Sequence, residues 1–127
     1  MTIAATHRAR GRPVYLVDDD AAVLNALQFS LNVEGYDVAA YSSGNDFLKA
    51  LDDLGDGCLV IDYHLPDMNG LDLTKIVRAR GVKSPVILIT SNREPAMLRR
   101  AHDAGVSVIQ KPLIDAALKD AIRTATA

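Results

Sequence analysis

Short apolar runs alternate with longer stretches of mixed polarity from Pro13 to the end of the chain. The runs are rich in β-branched residues, which predicts strands over residues 14–17, 36–40, 58–61, 85–89 and 106–109. In the longer stretches apolar residues recur every three or four positions. This spacing predicts helices over residues 21–34, from the cap-like Ser42-Ser43 to 51, and over 71–80, 95–102 and 113–124.

The alternation of strands and helices is typical of an α/β fold with a parallel sheet. We expect the flavodoxin-like, doubly wound arrangement of five parallel strands in the order 2-1-3-4-5 with five helices. A length of 127 residues with 49% hydrophobic content suits one compact domain, predicted over residues 13–127. Residues 1–12 lack hydrophobic periodicity and are predicted to form a flexible tail.

Composition and charge exclude several classes of partner. The net charge is only −2, so no global field directs the chain toward nucleic acid or an anionic membrane. No apolar stretch approaches the ~20 residues of a spanning helix, and the N-terminus lacks the apolar core of a signal peptide. The single cysteine, Cys58, falls inside an apolar strand, which favours a buried thiol. These features predict a cytoplasmic protein without a membrane partner.

Polar residues of particular chemistry follow four of the predicted strands. They are Asp18, Asp19 and Asp20 after strand one, Asp62 after strand three, Thr90 after strand four and Lys111 after strand five. In an open parallel sheet the carboxyl ends of the strands share one edge, and ligands bind there at the point where the strand order reverses. In the order 2-1-3-4-5 this point lies between strands one and three, where the aspartates are expected.

Several carboxylates in one crevice repel each other, and a hard divalent cation relieves that repulsion. Mg²⁺ fits best, because it takes one or two carboxylates and keeps open positions for phosphate oxygens. Thr90 can donate a hydrogen bond to a phosphate oxygen, and Lys111 can supply a positive charge. The set therefore indicates a phosphoryl group transferred to a carboxylate nucleophile.

The segments VYLVDDD, LVIDYHLPDMNG, VILITS and VIQKP resemble, in this order and spacing, the four signature segments of response regulator receiver domains. The resemblance runs over residues 14–122. It implies that Asp62 is the phosphoacceptor, with Thr90 and Lys111 binding the phosphoryl group. It also implies Mg²⁺ ligands from Asp19, Asp62 and the backbone carbonyl of His64, with Asp18 acting through water.

The resemblance further implies a signalling domain that phosphorylates and dephosphorylates itself, and not a turnover enzyme. Its phosphodonor would be a sensor histidine kinase or a histidine phosphotransfer protein. A homodimer through the face of helix four, strand five and helix five is one further partnership, whereas nucleic acid would be bound only by a separate effector domain. The Lys111-Pro112 peptide bond is expected to be cis, as in the family.

One position departs from the family pattern. Three residues before the lysine, receiver domains usually carry a Tyr or Phe that swings inward when the threonine moves toward the phosphate, and here that position is Val108. A β-branched aliphatic side chain is stiff at χ1 and has no ring to swing. The usual coupling between the threonine and the aromatic side chain is therefore not expected in this chain.

Other interpretations stay open from the residues. A Mg²⁺-dependent phosphohydrolase with an aspartyl-phosphate intermediate needs similar groups, but such enzymes usually have a second aspartate where this chain has His64. The His64 imidazole lies either near the phosphoryl group or in solvent. Asp20 is interpreted as a helix N-cap, Asp67 as a residue that supports its own turn, and Gly70 as relief of a backbone constraint.

Overall fold

The computed structural model describes residues 12–91, 93–111 and 115–126. It contains a five-stranded sheet made of β1 (Pro13–Val17), β2 (Asp37–Tyr41), β3 (Cys58–Asp62), β4 (Val86–Thr90) and β5 (Ser107–Gln110). The strands are parallel and lie in the order β2-β1-β3-β4-β5. Five α-helices connect and follow them: α1 (Ala21–Val33), α2 (Gly44–Ala50), α3 (Gly70–Ala79), α4 (Pro95–Asp103) and α5 (Asp115–Ala125). The predicted fold class is confirmed.

The core lies in two layers, one on each face of the sheet. On one face, side chains of the sheet pack with residues of α2, α3 and α4, such as Phe47, Leu73 and Met97. On the other face they pack with residues of α1 and α5, such as Leu31 and Ile122. All five residues of β3 are buried, because helices cover both of its faces. This burial includes Cys58, as predicted, and raises the pKa of its thiol to about 12.

Helix ends follow the predicted capping residues. Asp20 is the N-cap of α1, since its Oδ1 accepts hydrogen bonds from the backbone N–H groups of Ala22 at 3.0 Å and Val23 at 3.3 Å. Ser43 caps α2 in the same way. Gly35 follows α1 with a φ of 97°, a conformation that glycine adopts without a steric penalty. A short 3₁₀ turn over Leu51–Asp53, which the sequence did not predict, extends α2.

All five strands differ from their predicted bounds by one residue at one end or at both. β4 and β5 begin at Val86 and Ser107, and β4 includes Thr90 as its last residue. Pro85 has no N–H to donate, so it joins the ladder only through its carbonyl, which accepts from Leu59 at 2.9 Å. At the other end, the Lys111 N–H donates to the Thr90 carbonyl at 2.8 Å, which prolongs the pairing.

Some predictions concern residues outside the described ranges. These are the conformation of residues 1–11, the geometry of the Lys111-Pro112 bond and the start of the last helix at residue 113. Arg12 is described, and its carbonyl accepts a hydrogen bond from the Asp37 N–H at 3.0 Å. Among the described residues, no helix has the length and apolar character needed to cross a membrane. The cytoplasmic location and the limits of the tail stay predictions.

Candidate functional site

The carboxyl ends of β1 and β3 bring two buried aspartates together. These strands are neighbours, with Val17 opposite Ile61, so Asp18 and Asp62 leave adjacent strand ends. Asp18 is 1% exposed and Asp62 is 4% exposed, whereas Asp19 is exposed. One carboxylate oxygen from each of the three residues lies within 4.8 Å of the others. The predicted acidic cluster is therefore present at the predicted edge of the sheet.

Lys111 supplies the positive charge of the site. Its Nζ donates to Asp62 Oδ2 at 3.2 Å and lies 3.7 Å from Asp18 Oδ2. Burial lowers the pKa of Lys111, but the Asp62 and Asp18 carboxylates together raise that pKa by more, so it lies above its ordinary value. The lysine is therefore a cation at neutral pH, as a charge partner for phosphate must be.

The hydrogen bonding of the buried Asp18 carboxylate is incomplete among the described residues. Its Oδ1 accepts from the Asp20 N–H at 3.0 Å, but its Oδ2 is buried and has no hydrogen-bond partner among the described residues. Burial, together with the nearby charge of Asp62, raises the pKa of Asp18 to about 6. An oxygen-preferring divalent cation would satisfy the Oδ2 atom and remove the repulsion between the carboxylates. The residues thus fit Mg²⁺.

Thr90 ends β4, the strand next to Asp62. It is fully buried, and its backbone carbonyl accepts the Lys111 N–H. Strand register sets Asp62 opposite Ile89 and Thr90 opposite Gln110, so the ends of β3, β4 and β5 are aligned. The structure therefore brings all the predicted site residues to one edge.

His64 follows Asp62 by two residues. Its backbone N–H donates to Asp62 Oδ1 at 3.3 Å. The side chain is exposed, and its ring contacts the ring of Tyr63 edge-on with the centroids 4.9 Å apart. The main chain of His64 thus touches the phosphoacceptor candidate, whereas its imidazole faces solvent and Tyr63.

Asp67 in the following loop and Gly70 at the start of α3 make contacts that local sequence could not predict. A Cβ on Gly70 would lie 2.7 Å from the Asp62 carbonyl oxygen and 2.7 Å from Leu88 Cδ1. The predicted constraint at Gly70 is therefore close packing, and not a positive φ. The Asp67 carboxylate accepts hydrogen bonds from the start of α2, at Gly44. The sequence had suggested only a role within its own turn.

The family model for the response regulator receiver domain matches residues 14–123 of this chain. Together with the five-stranded fold and the acidic edge, this match shows that the chain belongs to the response regulator receiver domain family. Domains of this family belong to two-component systems, signal by phosphorylation and generally use Mg²⁺. The recognition made from the four signature segments is confirmed.

Among relatives, the chain is similar to the response regulator protein TmoT of Ectopseudomonas mendocina, with 37% identity over 88% of this chain and 51% of TmoT. It is also similar to the transcriptional regulatory protein FixJ of Azorhizobium caulinodans, with 37% identity over 87% of this chain and 53% of FixJ. The chain therefore spans about half the length of these curated relatives.

Solved structures show the same architecture. Full-length FixJ from B. japonicum superposes with a TM-score of 0.84 at 30% identity, covering 91% of this chain and 57% of FixJ. A CheY-like receiver domain protein from Methanospirillum hungatei superposes with a TM-score of 0.82 at 26% identity, covering 90% of this chain and 92% of that protein. The similarity thus extends over nearly the whole described domain.

Proposed function

We propose that Asp62 is the phosphoacceptor of this receiver domain and that Asp18, Asp19, Asp62 and the His64 backbone carbonyl hold Mg²⁺. The observation that supports this most directly is the position of Asp62, buried at a strand end with Lys111 Nζ at 3.2 Å and two further aspartates within 4.8 Å. A buried carboxylate with one ammonium and two acidic neighbours suits a site that receives both a cation and a phosphoryl group.

Each group has a defined part in the transfer. A carboxylate oxygen of Asp62 attacks the phosphorus of a phosphohistidine in line, the P–N bond breaks, and the donor imidazole leaves with the bonding electron pair. Mg²⁺, when bound, neutralises charge on the phosphoryl oxygens. Lys111 holds a second phosphoryl oxygen by its charge, and the Thr90 hydroxyl donates to a third. The product is an acyl phosphate on Asp62.

The signal ends by hydrolysis. Water attacks the phosphorus, the bond between phosphorus and the Asp62 oxygen breaks, and inorganic phosphate and the free carboxylate are formed. The protein then acts once per phosphorylation event, as a switch and not as a turnover enzyme. A Mg²⁺-dependent phosphohydrolase is the second candidate, but such an enzyme usually has a second aspartate two residues after the nucleophile to protonate a leaving group, and this chain has His64 at that position.

The partners follow from this chemistry. A sensor histidine kinase or a histidine phosphotransfer protein would donate the phosphoryl group, and a cytoplasmic location of the chain is part of the same proposal. Phosphorylated copies would pair through the face of α4, β5 and α5. Since the FixJ relative is named as a transcriptional regulatory protein and the match covers only 53% of its length, binding of nucleic acid would belong to a separate effector domain.

Acetyl phosphate with Mg²⁺ tests the proposal. The chain should gain one labile phosphoryl group by mass spectrometry, and Asp62→Asn should abolish that adduct while the far-ultraviolet circular dichroism stays unchanged. Asp56→Asn, which alters an exposed aspartate distant in the fold, is the control and should keep the adduct. An undiminished adduct on Asp62→Asn would disprove the assignment, and rapid multiple turnover of acetyl phosphate would favour the phosphohydrolase.

A further inference from the structure

Asp67 connects the loop after Asp62 to the beginning of α2. Its Oδ1 accepts from the Gly44 N–H at 3.0 Å, and its Oδ2 accepts from the Asn45 N–H at 2.8 Å. These are the first N–H groups of α2, which the helix itself leaves unpaired. The Asn45 N–H foremost lowers the pKa of this exposed carboxyl, so Asp67 is charged at neutral pH. The connection is a pair of charge-assisted hydrogen bonds across 23 and 22 residues of sequence.

A second contact supports the same connection. A Cβ on Gly44 would lie 2.7 Å from the sulfur of Met68 and 2.9 Å from its Cγ and Cε atoms. Met68, the neighbour of Asp67, therefore rests directly on the first residue of α2, and only glycine leaves room for it. The loop is held on α2 by hydrogen bonds and by packing together.

Backbone hydrogen bonds connect the base of this loop to the candidate site. His64 and Asn69 form an isolated antiparallel bridge, and the Gly70 N–H donates to the Tyr63 carbonyl at 2.7 Å. The His64 N–H in turn donates to Asp62 Oδ1 at 3.3 Å. A shift at the tip of the loop would therefore be passed on to the main chain of His64 and to the Asp62 side chain.

We infer that Asp67 is a positioning residue for the Mg²⁺ site. By holding the loop on α2, it fixes the His64 backbone, whose carbonyl would bind the cation and whose N–H orients Asp62. The inference rests on the proposed function, because it takes His64 and Asp62 as ligands. Asp67 itself need not touch the cation, since groups that orient metal ligands typically change metal affinity by about 10- to 100-fold when they are lost.

The test compares Mg²⁺ binding and phosphorylation in Asp67→Ala and the unaltered full chain. By titration calorimetry the Kd for Mg²⁺ should rise about tenfold. The Mg²⁺ concentration that gives half-maximal phosphorylation by acetyl phosphate should rise by the same factor, while the rate at saturating Mg²⁺ stays near that of the unaltered chain. Asp67→Asn keeps one acceptor oxygen and should give an intermediate Kd.

Ser43→Ala is the matched control. Ser43 Oγ accepts from the Asp46 N–H at 3.1 Å, so this variant weakens the same end of α2 without touching the loop. It should lower the melting temperature and leave the Kd for Mg²⁺ unchanged. An equal loss of Mg²⁺ affinity in Ser43→Ala and Asp67→Ala, or no loss in Asp67→Ala, would overturn the inference.

Two further outcomes distinguish a failure of the inference from a failure of the proposed function. If Asp67→Ala does not fold, an unaltered Kd in Asp67→Asn together with an unaltered Kd in Gly44→Ala, which displaces Met68, would overturn the inference. If the unaltered chain binds Mg²⁺ but gains no phosphoryl group on Asp62, the proposed function fails. A raised Kd in Asp67→Ala would still support the positioning role.

Discussion

Lys111 Nζ lies 3.2 Å from Asp62 Oδ2, so the last residue of β3 and the residue that follows β5 form an ion pair. The same ammonium is 3.7 Å from Asp18 Oδ2, and one positive charge therefore faces two buried carboxylates. The uncompensated negative charge is costly in a buried site. Binding of a divalent cation would remove that cost, which links metal binding, stability and pH in this domain.

Asp18→Asn should stabilise the protein when Mg²⁺ is absent. Burial foremost raises the pKa of Asp18 from 3.8 to about 6, so between these values the folded state binds a proton more tightly than the unfolded state. The contribution of Asp18 to the free energy of unfolding therefore falls as pH rises through this window. At pH 7.5 in EDTA, the substitution should raise the free energy of unfolding by on the order of 2 kcal/mol.

Urea unfolding at pH 5 and pH 7.5 measures this effect. Asp18→Asn should lose much of the pH dependence between these two values, and Asp56→Asn, at an exposed position, should keep it. A variant that is no more stable than the unaltered chain at pH 7.5 would show that the buried Asp18 charge is already compensated.

Asp19→Ala should weaken Mg²⁺ binding much more than Asp20→Ala. The carboxylate of Asp19 belongs to the acidic cluster, whereas that of Asp20 accepts hydrogen bonds from the Ala22 and Val23 N–H groups at the start of α1. Loss of this cap should instead cost about 1 kcal/mol of stability. Calorimetry and thermal unfolding separate the two effects, and equal losses of Mg²⁺ affinity would contradict the assignment.

Gly70→Ala should disturb Asp62 through the backbone. The added methyl group would lie 2.7 Å from the Asp62 carbonyl oxygen, so the main chain at the phosphoacceptor must shift. Overpacking of this kind typically costs about 1–3 kcal/mol, and the rate of phosphorylation by acetyl phosphate should fall.

Gly55→Ala is the control for Gly70→Ala. A Cβ at Gly55 meets no atom within 4 Å in the described part of the chain, and its φ is not positive. It should leave both stability and phosphorylation near those of the unaltered protein. Equal phosphorylation in the two variants would mean that the close approach at Gly70 does not govern Asp62.

Val108 should limit how far the conformational change caused by phosphorylation extends through the domain. It lies on β5 opposite Leu88, is half-buried, and packs against the core layer that includes Met97 and Ala101 of α4. Without a ring to move, changes on binding beryllofluoride, a stable mimic of the phosphoryl group, should concentrate around Asp62, Thr90 and Ser91. A ligand shifts an equilibrium only through its differential affinity for two states, and a stiff valine removes one source of that difference.

Chemical-shift mapping tests the role of Val108. Large perturbations along β5 and α5 in the unaltered chain would contradict the prediction. Val108→Tyr should extend the response toward α4, β5 and α5, and Val106→Ile, a conservative change next to the same strand, should not. An unchanged response in Val108→Tyr would also count against the idea.

The amino-acid sequence alone determined the order of the elements and the chemistry at one edge of the sheet. Short β-branched apolar runs and helical stripes are local signals, and the rule that parallel strands end at one edge predicted that Asp62 and Lys111 are neighbours before any distance was known. The caps at Asp20 and Ser43 were predictable for the same reason, since each bonds within three residues of itself.

Only the tertiary structure decided which contacts support that edge. Asp67 meets Gly44 across 23 residues, and Gly70 meets Leu88 from a different β/α unit. Such pairs depend on how the loop after Asp62 packs against a helix and a strand from other parts of the chain. No short-range sequence pattern predicts this packing. The buried Oδ2 of Asp18, which accepts no hydrogen bond from the described residues, likewise depends on two neighbouring strands ending at the same edge.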